Sequence, residues 1–230
     1  MRYKHFGYDH SYPIRSTTEN DDTIYTWDYS NIRAVRSEPL AFEGEIKNGS
    51  VLLASDSFYI DRYSGSMGSW EQLSRFVYNL NDNKDDLPEH IIQVVKKLTS
   101  GENDIRKKVA ALYKYMQDNT RYVAIEYGIN GWQTLDAKYT ANYKYGDCKA
   151  LSYYMKGLLK VAGIQSNAVL VYAGEENNNE LIKDFPSSQF NHVILMVPLN
   201  PDTIWLECTS KDLPAGYLSD FTQNRDVLVL

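Results

Sequence analysis

Apolar residues recur at helical spacing through the middle of this chain and at strand-like spacing on both sides of it, and that segregation most constrains the fold. In SWEQLSRFVYNL, Trp70, Leu73, Val77 and Leu80 fall on one helical face, and Ser69 with Gln72 three residues on reads as a capping box. LPEHIIQVVKKLTSG reads as a short helix with Pro88 near its start and Gly101 past its end. NDIRKKVAALYKYMQDN places Ile105, Val109, Leu112 and Met116 on one face, with Asn103 or Asp104 as cap. A further helix opens in YKYGDCKALSYYMKGLLKVAGI, with Leu151, Met155, Leu158, Leu159 and Ala162 as its stripe and Gly163 at the C-cap. Strand-like runs lie before this block (DTIYTWDYSNIRAV and SVLLASDSFYID) and after it (NAVLVY, NHVILMV and TIWLEC). Strands, then helices, then strands is an α+β plan and not an alternating parallel one.

The connections fit this plan. SEPL and KNGS read as turns, with Asn48-Gly49 the strongest turn dipeptide. NDNKDD and AGEENNNELIKDFPSSQF read as polar loops, RYVAIEYG as a strand, and INGWQTLDAKYTANYKYG as an irregular loop able to line a site. The expected division is a β-rich segment over 1–68 and a core with leading helices over 69–230. A chain of 230 residues buries a sizeable core. Its net charge of −6 provides no basic field for nucleic acid or an anionic membrane. No apolar stretch reaches spanning length, and the first residues lack the apolar core of a signal peptide. The 19 tyrosines suit half-buried strands.

Chemistry concentrates around Cys148. Gly146 turns the chain, Asp147 is a good N-cap, and Cys148 then falls in the first helical turn. Backbone N–H groups and the helix dipole there favour a thiolate, and the same N–H groups suit an oxyanion on an acyl carbon. NHVILMV and TIWLEC flank PLNPD and read as an antiparallel hairpin. A four-residue loop pairs Val197 with Asp202 and sets His192 opposite Glu207. A five-residue loop sets His192 opposite Cys208 and turns Glu207 to the other face. Both registers stay open on the residues alone. The order cysteine, histidine, acid fits nucleophile, base and orienter. Cys208 is the rival nucleophile, but it lies at a strand end with no helix dipole behind it. Neither cysteine has CxxC spacing, and the four histidines form no metal motif, so neither a metal nor a disulfide framework is expected.

YKYGDCKALSYYMKGLLKVAGI, followed by FNHVILMV and IWLECTS, resembles the core of the transglutaminase-like superfamily, nearest its bacterial cysteine-protease branch. The likeness runs upstream through TRYVAIEYGINGWQTLDA and downstream through LPAGYLSDFTQNRDVLVL. The N-terminal part resembles the end of a β-rich domain that often precedes this core. The resemblance implies a papain-like fold, with a cysteine helix packed on an antiparallel sheet. Cys148 is then the nucleophile, His192 the base and Glu207 the acid, which agrees with the four-residue loop. Trp132 and Gln133 are candidates for the cleft and its second oxyanion donor, with Asp147 beside them. The implied reaction is attack on a peptide or carboxamide carbonyl through a thioester, hydrolytic more than cross-linking, with a peptide or protein substrate and no cofactor. The implied compartment is periplasmic or secreted. Glu207 stands where the family has aspartate, Cys208 where it has proline, and Ala150 where this branch has aspartate. These departures motivate the alternative of an inactive binding or assembly module.

Overall fold

The computed structural model describes residues 1–6, 14–30, 50–174 and 181–230, with the side chains of residues 5 and 6 outside that description. SEPL and the Asn48-Gly49 turn therefore lie outside the described residues. The described residues of the N-terminal part carry three strand pairs. Strand β1 (Arg2–Phe6) pairs antiparallel with β4 (Ser50–Ala54), β2 (Arg15–Glu19) with β3 (Asp22–Thr26), and β5 (Phe58–Ile60) with β6 (Tyr63–Gly65).

Helices follow as α1 (Trp70–Leu80), α2 (Glu89–Thr99) and α3 (Ile105–Asn119). Ser69 Oγ accepts the Gln72 N–H at 3.1 Å, but the Gln72 side chain turns to Ser66 instead, so only half of the expected capping box forms. Asp104 caps α3 through the Arg106 N–H at 2.8 Å. Val109, Leu112 and Met116 are fully buried, whereas Ile105 is exposed in the first turn.

RYVAIEYG corrects one expectation: only β7 (Arg121–Tyr122) is a strand, and it pairs in parallel with β8 (Tyr145–Gly146). The segment expected as an irregular loop carries a 3-10 turn (Gly128–Gly131) and helix α4 (Ala137–Tyr143). Ala137, Thr140 and Ala141 of α4 are buried, so tertiary packing overrides weak local propensity.

Helix α5 (Cys148–Val161) is central and buried on nearly all sides. Leu151, Met155, Leu158 and Leu159 pack with Ile91, Val95, Val109 and Met116 of the other helices and with Leu195, Val197, Ile204 and Leu206 of the sheet. Each such buried leucine contributes about 1.5–3 kcal/mol. Gly163 ends the helix at φ 71°, a left-handed conformation that glycine adopts without strain. Gly157 admits close packing: a Cβ there would lie 2.3 Å from the Asp85 carbonyl oxygen.

The sheet contains β9 (Asn167–Val171), β10 (His192–Pro198), β11 (Thr203–Leu206) and β12 (Val227–Val229) in the order β11-β10-β9-β12, and every pairing is antiparallel. Strand β12 was not anticipated. Helices α1 and α5 cover the face bearing Ala168, Leu170, Val193 and Leu195. The opposite face carries Val169, Val171 and Ile194, packed against Leu218 and Val227.

The hairpin register is neither of the two expected. Pro198 pairs with Thr203 and Leu195 with Leu206, so the four-residue loop is Leu199–Asp202. Continued along the strands, this sets His192 diagonal to Glu207. A shift of two residues preserves side-chain parity, so both still project to one face, and Cys208 to the other.

Candidate active site

Cys148 is the first residue of α5. Asp147 accepts the Ala150 N–H on its carboxylate at 2.9 Å, and its carbonyl accepts the Leu151 N–H. The N–H groups of Cys148 and Lys149 have no acceptor among the described residues, as the open end of a helix requires. Gly146 permits this entry, since a Cβ there would sit 2.6 Å from that of Ala150.

His192 opens β10, and Glu207 follows β11. His192 Nε2 lies 3.1 and 3.0 Å from the two Glu207 carboxylate oxygens. The extra methylene of glutamate relative to aspartate is absorbed by the diagonal placement of the pair. Thr209 donates to the same carboxylate from its backbone N–H at 3.1 Å and from its hydroxyl at 2.5 Å. Tyr113 donates to the Glu207 carbonyl at 2.5 Å, fixing its backbone to α3. Nε2 is thus taken by the acid.

Cys148, His192 and Glu207 are all buried. Burial opposes the His192 charge, but hydrogen bonding to Cys148 and Glu207 and attraction to both outweigh it and lift the pKa to about 9. Burial pushes the Glu207 carboxyl up, yet the bonds to His192 and Thr209 bring it below its ordinary value. Cys208 lies under α5 on the other face of the sheet, and burial, with the Glu207 charge, pushes its thiol well up. Both cysteines are free.

The remaining expected residues separate. Trp132 lines the cleft beside Cys148 and packs edge-on against Phe76 at 5.9 Å. Gln133 does not line the cleft: its amide donates to the Leu80 carbonyl at 3.0 Å, where it secures the end of α1. Asp147 also does not line it. Its carboxylate caps α5 and pairs with Lys149 at 2.6 Å. Lys149, Tyr122 and Thr209 were missed. Lys149 lines the cleft, buried, with Glu126 at 3.8 Å. The Tyr122 phenol is raised by burial and then by attraction of its proton to Cys148, Glu126, Asp147 and Glu207. Lys149 and Thr209 adjoin Cys148 and Cys208 in sequence, so adjacency was their only signal.

A buried cysteine helix on an antiparallel sheet, with histidine and acid at the sheet's end, defines a papain-like α+β class. The chain belongs to the transglutaminase-like superfamily: the profile described as Transglutaminase-like superfamily matches residues 92–210, just over half of its length. No curated protein matches it. The chain shares its fold with a "putative protease" from Parabacteroides distasonis at TM-score 0.62 and 14% identity, over 86% of this chain and 36% of that one. It thus spans about a third of that protein's length. A "putative cysteine protease" from Cytophaga hutchinsonii aligns at TM-score 0.43 and 14% identity, over 61% of this chain and 41% of that one. Among the described residues, no helix is long and apolar enough to cross a membrane.

Proposed function

We propose that the chain is a thiol hydrolase acting on a peptide or carboxamide bond through Cys148, His192 and Glu207. The observation that carries this reading is the His192 ring, held by both Glu207 oxygens and lining one cleft together with Cys148 at a helix start. Residues 69–230 hold the chemistry, and the segment before them, whose described residues form strand pairs, is an appendage to it.

The Cys148 sulfur, as thiolate, attacks the carbonyl carbon, and the C=O electron pair moves to oxygen. The Cys148 N–H receives that oxyanion at the α5 N-terminus. Trp132 Nε1, which has no acceptor among the described residues, is the second donor. His192 gives its proton to the leaving nitrogen as the C–N bond breaks, leaving a thioester. Water, deprotonated by His192, adds to the thioester carbon, and the C–S bond breaks to release the acid and restore the thiolate. Water is the acceptor because no residue pattern selects an amine. Glu207 keeps the imidazole oriented and charged through the first half.

The alternative, an inactive binding or assembly module, draws on one observation: Cys148 is only 3% exposed. Labelling with iodoacetamide near neutral pH, read by peptide mass spectrometry, separates the two. Modification of Cys148 that is lost in Cys148→Ala and retained in Cys208→Ala supports the enzyme. An inert Cys148 in folded protein supports the module.

A further inference from the structure

The cleft beside Cys148 has a volume of about 280 Å³. That is at the lower edge of the roughly 300–1,000 Å³ typical of small-molecule pockets. Its rim is polar and exposed, with Glu126, Ser188 and Asn191. Its floor is apolar and buried: Leu73 and Val77 from α1, Tyr153 from α5, Leu170 from β9 and Val193 from β10. Leu170 and Val193 are cross-strand partners, so these two side chains form one continuous surface.

The floor and the imidazole belong to different faces of the sheet, and both line the cleft that holds Cys148. Val193 points to the face covered by α1 and α5, and the preceding residue, His192, points to the other, where its ring meets Phe221 at 5.4 Å. The group that receives the His192 proton leaves on the imidazole side. In the reaction proposed above, the side chain of the residue that supplies the carbonyl then lies away from the imidazole, towards the floor.

We propose that this floor is the specificity pocket for a large apolar side chain, of leucine or phenylalanine size, on the residue that donates the acyl group. The proposal rests on the thiol chemistry above and narrows its substrate class to peptides cleaved after large apolar residues. A charged side chain entering the floor loses its water with no buried partner to replace it, because Lys149 is already paired with Asp147. Glycine or alanine leaves the floor unfilled. Each missing methylene in such a pocket costs on the order of 10-fold or more in discrimination.

The test compares peptidyl acyloxymethyl ketones that differ only in the residue next to the ketone (glycine, alanine, leucine, phenylalanine, aspartate). Each labelling rate is divided by that of iodoacetamide, which needs no subsite, on the same protein. Leucine and phenylalanine probes are expected to exceed glycine and aspartate by about 30-fold or more. Leu170→Trp, which fills the floor, is expected to erase that preference. Val77→Ala, which enlarges it with less risk to folding, is expected to move the optimum from leucine towards phenylalanine. Equal relative rates for all probes on the unaltered chain, with Cys148 still labelled by iodoacetamide, overturn the pocket and leave the thiol chemistry standing. A leucine preference unchanged in both variants also overturns it. Failure of every reagent, iodoacetamide included, overturns both together.

Discussion

Glu207→Gln keeps the shape of the acid and removes its charge from beside His192. The His192 pKa stands at about 9 against the ordinary 6.5. At roughly 1.4 kcal/mol for each tenfold change, that lift amounts to about 3 kcal/mol of preference for the charged ring. Burial works against the lift, and two neighbours, Cys148 and Glu207, supply it. Removing one of the two contributors is expected to forfeit on the order of 1–2 kcal/mol, so the midpoint falls by about one pH unit or more. The assay is a histidine side-chain ¹⁵N NMR titration from about pH 5 to about pH 10, with the apparent midpoint read as a property of the Cys148–His192 pair. The unaltered chain is expected to titrate near 9 and Glu207→Gln near or below 8. Turnover of a peptide amide in the variant is expected to fall about 100-fold or more, because the imidazolium loses the carboxylate that stabilises and orients it. A midpoint that stays near 9 in Glu207→Gln would refute the account, since the acid would then not be what charges the ring.

Asp147→Asn preserves a good N-cap but strands buried Lys149, whose remaining neighbour is the exposed Glu126; urea unfolding is expected to show a loss of about 3 kcal/mol. Gly146→Ala and Gly157→Ala both force a Cβ into contact, at 2.6 Å from Ala150 Cβ and 2.3 Å from the Asp85 oxygen, and each is expected to cost about 1–3 kcal/mol. Only Gly146→Ala displaces the first turn of α5, so Cys148 labelling should slow by about tenfold or more there and remain within about threefold in Gly157→Ala. Stability should also vary with pH through the His192–Glu207 pair. The raised His192 contributes fully below about pH 6.5, and its contribution fades as pH rises through about 9. The lowered Glu207 contributes above its unfolded value near 4.5 and loses that contribution as pH falls through its folded one. Urea midpoints should therefore be highest between about pH 4.5 and 6.5, and His192→Ala should remove the alkaline decline.

The elements legible in the sequence are those whose signals are local. Ser69, Asp104 and Asp147 mark helix starts because a cap acts within three residues of itself, and each cap forms. Gly163 marks the end of α5 because only local backbone conformation is at stake. The same local chemistry placed Cys148 at a helix N-terminus. Helix α4, the β7–β8 pair and β12 were not legible. Strands of two or three residues exist through hydrogen bonds to distant partners, and α4 is held by buried Ala137, Thr140 and Ala141 and not by its own propensity. Gln133 was misplaced for the same reason: its partner is a carbonyl 53 residues away.

What the sequence determined by itself is the α+β plan and which residue types stand near one another along the chain: a thiol at a helix start, an imidazole opening a strand, and a carboxylate after the next. What only the tertiary structure decided is how they meet. The hairpin settled two residues away from one expected register and one from the other, and side-chain direction has a period of two. That even displacement keeps His192 and Glu207 on one face as diagonal neighbours at 3.0 Å and turns Cys208 under α5. No local signal selects it: the face that the helices bury fixes only the parity of the register, and the choice between registers of equal parity lies in long-range pairing.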